Sequence, residues 1–154
     1  MNRPSTHSSP LPPAAPILVR VLHRLDCVPY SLLAIPLRLA VATVFWNSAM
    51  TKLANWDTAI ALFTDEYHLP LLSPDVAAYL ATGIELTAPV LLVLGLLTRP
   101  AAAVLLAMTA VIEIFVYPQA WPTHLQWAAM LLVLLCRGAG KVSIDHWLRQ
   151  RLDT

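Results

Sequence analysis

The chain has 154 residues, a net charge of +1, 58% apolar residues and only 12% charged ones. A soluble domain carries about 25% charged residues, so this composition excludes an ordinary water-soluble fold and points to a membrane protein. The near-zero net charge gives no electrostatic case for nucleic acid, and four scattered glycines leave no phosphate-cradling loop.

Met1 to Pro16 is polar and holds five of the thirteen prolines. Such a stretch predicts disorder. It does not read as a signal peptide, because Arg20 cuts off Ile17-Leu18-Val19 well short of the roughly 7–15 apolar residues needed. Arg20, Val21, Leu22, Arg24 and Leu25 form either a short basic amphipathic segment on a membrane surface or a solvated continuation of the tail. Residues 1–28 are therefore expected to be a disordered and juxtamembrane N-terminal tail.

The first span is expected at 32–51, about the 20 residues that a bilayer crossing requires. Pro36 lies near its start, where a missing N–H costs little. Arg38 lies inside, and Lys52 closes the span with a stem long enough to snorkel to the interface. Asn55 to Pro74 is a connection, too acidic to cross lipid. Ile60, Phe63 and Tyr67 share one helical face there, which predicts an interfacial helix. Ser73-Pro74-Asp75 is a helix start: a capping hydroxyl, proline at the first position and a carboxylate in the first turn.

The second span is expected at 76–97 and the third at 101–117, with Thr98-Arg99-Pro100 as the reversal between them. The fourth, at 121–137, is short and calls for tilt or local thinning. Gly138 and Gly140 break the helix, and 143–154 reads as a C-terminal surface helix with Ile144, Trp147 and Leu148 on its apolar face. The expected fold is all-α: a polytopic four-helix transmembrane bundle over 29–142, with short interfacial helices.

Basic residues set the orientation. Arg3, Arg20 and Arg24 precede the first span, Arg99 lies in the second connection, and Arg137, Lys141, Arg149 and Arg151 follow the fourth span. Both termini are thus expected in the cytoplasm of a bacterial cell, with the chain in its inner membrane. Cys27 and Cys136 form no CxxC motif. Both would face a reducing compartment, where free buried thiols are expected.

An ionisable group at bilayer depth is costly and marks either a partner or a task. At about 1.5 Å of rise per residue, Arg38 falls in the cytoplasmic half of the first span and Glu85 near the midplane of the second. Glu113 and His124 fall in the outer half, on the third and fourth spans, and Lys52 at the outer rim. An Arg38–Glu85 pair would need Arg38 to extend over roughly 9 Å of depth. Glu85, Glu113 and His124 differ less in depth and can form one polar pocket. Thr82, Thr109 and Tyr117 lie a turn away from one or other carboxylate, and Gln126 and Trp127 lie beside His124.

Such a pocket fits several chemistries. It can bind a divalent metal, with Glu113 and His124 as the weak candidate ligands. It can pass protons. It can also hold the head of a quinone or another redox lipid, exchanging the protons that accompany electrons. The competing reading is structural: membrane helices use polar side chains to hold one another. Met50, Met108 and Met130 are scattered in depth and read as core filler.

Three stretches resemble the DoxX family of small four-span bacterial membrane proteins. One is Leu37-Arg38-Leu39-Ala40 through Lys52-Leu53. The second is Gly83-Ile84-Glu85-Leu86 with Leu91 to Arg99 (LLVLGLLTR). The third is His124-Leu125-Gln126-Trp127 with Arg137-Gly138-Ala139-Gly140 and Ser143-Ile144-Asp145-His146. Asn47 and Ala49 stand where members of that family often carry glycine. Arg38, Lys52, Glu85 and Arg99 match the family's recurrent polar positions. The resemblance implies a membrane subunit of a redox or stress-response complex with a membrane or peripheral redox protein as partner, and it leaves the cofactor open, with quinone a candidate. It also leaves room for metal-peptide handling, or for a scaffold without chemistry of its own.

Overall fold

The computed structural model describes residues 15–67 and 72–152; the expected disorder of the first residues lies outside them. Seven α-helices follow in order: α1 (Ala15–Asp26), α2 (Tyr30–Ala54), α3 (Trp56–Asp65), α4 (Pro74–Leu94), α5 (Thr98–Val111), α6 (Trp121–Arg137) and α7 (Ile144–Leu152). A π-helical turn at Ile112–Val116 and a 3-10 turn at Pro118–Ala120 join α5 to α6.

Among the described residues three helical stretches are long and apolar enough to cross a membrane: α2, α4, and α5 with its π turn. The fourth helix, α6, has 17 residues and completes the bundle. Around the bundle α2 packs on α4, α4 on α5, α5 on α6, and α6 back on α2. Their outward faces carry Leu32, Leu33, Leu39, Val90, Val93, Val104, Leu125 and Leu132, all exposed. A water-soluble bundle would put charge there. This is an all-α membrane protein.

The interior is built from small and medium side chains. Ala42, Ala88, Ala101 and Ala102 let the helices approach, and Val41, Phe45, Leu92, Leu105, Leu131 and Leu134 fill the space between them. Lipid tails are as apolar as leucine, so close van der Waals contact between small residues, not exclusion of water, drives this association. Buried positions on α2 are Ala34, Arg38, Val41, Ala42, Phe45 and Ala49, a single stripe at helical spacing.

At one end of the bundle α3 lies across α4. Phe63 packs on Ala77 and Ala78, with Trp56, Ile60 and Tyr67 alongside, so the apolar face expected between the first two spans is real. Asn55 caps α3 by accepting from Thr58 N–H at 3.1 Å. Ser73 does sit at the N-cap of α4 with Pro74 after it, but its hydroxyl makes no capping bond.

At the other end the reversal between α4 and α5 lies earlier than Thr98–Pro100. Gly95 ends α4 with φ 64°, the left-handed conformation that glycine adopts without strain. Thr98, Arg99 and Pro100 are instead the first turn of α5. Leu97, just before them, has φ 48°, which costs a residue with a Cβ about 1–2 kcal/mol. Asp145 of α7 supports that turn. Its two carboxylate oxygens accept from Leu97 N–H at 2.8 Å and Thr98 N–H at 3.0 Å, and its own N–H donates to Gly95 O at 2.9 Å. The α5 cap is therefore supplied by a residue far along the chain. Replacing Asp145 by Ala is expected to cost about 0.5–2 kcal/mol, as loss of a cap does, read as earlier unfolding in detergent. Asp145→Asn, which keeps one acceptor, should lose less.

Two prolines lie inside helices. Pro36 is seven residues into α2 rather than at its edge, because α2 begins at Tyr30. Pro89 is buried within α4 and removes the N–H that would have bonded the Glu85 carbonyl. Both described cysteines, Cys27 and Cys136, are free, but exposed rather than buried.

Candidate functional site

Glu85 lies halfway along α4 and is almost completely enclosed, its side chain 2% exposed. Its partner is Lys52, near the end of α2. The Lys52 ammonium donates to both carboxylate oxygens, at 2.8 Å to Oε1 and 2.7 Å to Oε2. Ser48, one turn before Lys52, closes the triangle. Its Oγ accepts from Lys52 at 2.8 Å and donates to Glu85 Oε1 at 3.0 Å. Lys52 therefore bends inward to the carboxylate instead of snorkelling outward to the rim. Every charge in this cluster is compensated and every oxygen used, which is how a buried ion pair becomes tolerable. Thr82, a turn from Glu85, is buried too, and its hydroxyl has no partner among the described residues.

Arg38 does not reach Glu85. It is buried at the opposite end of the bundle, where Nη2 donates to Val142 O at 3.0 Å. Its Nε and Nη1 have no partner among the described residues. Gly95 makes room for it: a Cβ at Gly95 would collide with Arg38 Nη1 and with Ser143. Arg99, at the start of α5, donates to Cys136 O at 3.1 Å and so ties α5 to the end of α6.

Glu113 and His124 do come together. His124 Nδ1 lies 2.5 Å from Glu113 Oε2, with the imidazole 6% exposed and the carboxylate 33% exposed. The donor in this contact depends on the tautomer. Either Nδ1–H donates to a carboxylate, or a protonated carboxyl donates to Nδ1. The Trp127 ring packs beside the imidazole at 5.1 Å between centroids, and Phe45 packs edge-on to Trp127. Gln126 faces away, exposed.

Glu113 belongs to the π turn, in which Tyr117 N–H donates to Ile112 O at 2.9 Å. π turns inside helices occur disproportionately at functional sites. Tyr117 turns away from Glu113 and joins a second polar group. Its hydroxyl lies 3.4 Å from that of Tyr67 and 3.5 Å from Glu66 Oε2. Burial, and then the Tyr117 hydrogen bond, push the Tyr67 phenol well above its ordinary range, with the charges of Glu66 and Glu85 adding to the rise. Thr109, a turn before Glu113, instead donates back to Leu105 O.

The candidate charged residues thus fall into three groups. Lys52–Ser48–Glu85 is closed and neutral. Glu113–His124 is a protonatable pair, half open. Arg38 and Arg99 bind backbone carbonyls at the far end. The expectation of one pocket uniting Glu85, Glu113 and His124 holds only for the last two. Among the described residues no third His, Cys, Asp or Glu joins them to make a metal-binding group.

The fold and these intramembrane charges define a small helical membrane protein with polar residues buried between its spans. The family model of DoxX matches residues 33–118, more than half of the chain, and the chain belongs to the DoxX family. It is similar to an uncharacterised protein of Haemophilus influenzae, 30% identical over 133 residues, covering 77% of this chain and 84% of that one. No solved structure matches.

Proposed function

We propose that the protein is an inner-membrane subunit of a redox complex, with both termini in the cytoplasm, and that Glu113 and His124 exchange protons with the head of a quinone-class redox lipid. The observation that carries this reading is the imidazole–carboxylate pair itself. It is buried on the His124 side, open on the Glu113 side, and set in a π turn. Electron transfer to a quinone requires protons to follow, and a protonatable pair at a bundle end supplies them. The basic residues clustered around the opposite end support the orientation, which leaves this pair on the outer side.

Lys52 and Glu85 serve a different purpose in this reading. With an ammonium on both oxygens and a hydroxyl on one, this carboxylate is already engaged, and the cluster holds α2 to α4. The scaffold reading draws on that cluster. Metal or metal-peptide handling would have to use Glu113 and His124, two donors where zinc sites use three or four protein ligands.

The test is quinone bound to the protein purified in mild detergent, with quinone-dependent electron transfer by the membranes. Glu113→Gln and His124→Ala should each lower electron transfer about 10²-fold or more, the range for loss of a positioned acid or base, with protein abundance unchanged. Bound quinone absent, and activity indifferent to both substitutions, would overturn the proposal. Growth defects under excess copper or zinc specific to His124→Ala would favour the metal reading instead.

A further inference from the structure

A cavity of about 430 Å³ opens at the end of the bundle opposite Glu113 and His124. It lies where α5 begins, α6 ends and the Gly138–Ser143 loop crosses to α7. We propose that it binds the phosphate of an anionic phospholipid headgroup.

Four cations from four segments line it: Arg99 on α5, Arg137 at the end of α6, Lys141 in the loop and Arg149 on α7. Asp145 is the only carboxylate in the lining, and its oxygens are already occupied by the N–H groups of Leu97 and Thr98. Among the described residues none of the four cations makes an ion pair. Arg137 instead lies over the Tyr30 ring, 5.5 Å from its centroid. Immediately behind the wall, Arg38 adds a fifth positive charge. It is 5% exposed and bonded to the carbonyl of Val142, the neighbour of the lining residue Ser143. Like charges gathered around a concavity repel one another, so an anion placed among them is bound strongly.

The position selects a lipid anion over a dissolved one. The cavity lies at the ends of the bundle helices, where headgroups meet water. Helix α7 lines it, and α1 ends at Asp26, three residues before Pro29 of its wall. α1 exposes Leu18, Leu22 and Leu25 beside Arg20 and Arg24, and α7 exposes Trp147 and Leu148 beside Arg149. Apolar residues laid beside cations are the pattern of helices resting on an anionic membrane surface. Basic pockets between membrane helices take phospholipid headgroups.

The experiment is native mass spectrometry of the whole protein in neutral detergent, titrated with phosphatidylglycerol or phosphatidylcholine. Phosphatidylglycerol should be retained in preference, and Lys141→Gln with Arg149→Gln should weaken it about 30-fold, a factor of about five for each cation near an anionic surface. No described hydrogen bond uses either side chain and their mutual repulsion is relieved, so the unliganded melting temperature should not fall. Lys141→Arg should keep the wild-type affinity, and this variant serves if the double substitution does not fold. Equal retention of the two lipids, or unchanged phosphatidylglycerol binding by the double variant, would overturn the proposal. Inorganic phosphate is the remaining probe. If it stabilises the wild type as well as phosphatidylglycerol does, and displaces it, the site takes a free anion and the lipid assignment fails.

Discussion

Replacing Lys52 by Met is expected to cost about 3–5 kcal/mol of stability in detergent or bicelles, the penalty for breaking one side of a buried ion pair. Lys52 and Glu85 meet at 2.7 Å with side-chain exposures of 16% and 2%. Removing the ammonium leaves Glu85 with a single neutral donor, Ser48. The carboxylate must then either stay charged in a low-dielectric interior or take up a proton. The Lys52→Met, Glu85→Leu double variant should recover most of the loss, because two apolar side chains replace a pair whose desolvation was costly. Glu85→Gln should fall between, leaving Lys52 charged but hydrogen-bonded. Reversible unfolding of the wild type, Lys52→Met, Glu85→Leu and the double variant gives the coupling energy directly. A loss of about 1 kcal/mol or less for Lys52→Met would mean that water reaches the pair, as it does at exposed salt bridges.

Gly95→Ala is expected to cost about 2–5 kcal/mol, combining a left-handed backbone that disfavours a Cβ, at about 1–2 kcal/mol, with overpacking at about 1–3 kcal/mol. Its φ of 64° and the closeness of Arg38 Nη1 and Ser143 Cβ both act against the methyl group. Shortening Arg38 in the same chain should relieve only part of the penalty, since the backbone conformation and Ser143 remain. A thermal melt that separates wild type, Gly95→Ala and the Arg38→Leu, Gly95→Ala double variant tests this. Wild-type stability in Gly95→Ala would show that the α4–α5 turn shifts freely.

The pairing of Glu113 with His124 was legible because it needed only depth: two groups at similar height on adjacent antiparallel spans. Lys52–Glu85 was harder. A rise-per-residue estimate places Cα atoms, and Lys52 sits at the rim by that measure, but its four-carbon stem bends back along α2 to the midplane. Arg38 failed for the opposite reason. Its acceptor is a loop carbonyl more than a hundred residues away, and nothing local in LRLAV points to Val142. The α4–α5 reversal was readable and was misplaced. Proline at 100 drew attention, whereas the stronger signal was Gly95 following a long apolar run, the usual mark of a helix C-terminus. The π turn carries almost no sequence signal beyond the crowding of Ile112, Ile114 and Val116, whose branched side chains fit a tight helix less well. The four helices themselves were legible because hydrocarbon tolerates so few sequences.

The clasp between Asp145 and the α4–α5 turn has a consequence for how the chain is made. A ribosome makes the α4–α5 turn 48 residues before it makes Asp145. Until then the hairpin enters with Leu97 in a disfavoured conformation and two N–H groups unserved, held in shape by Gly95. The α7 helix therefore acts as a latch, closing on a hairpin that is already in place.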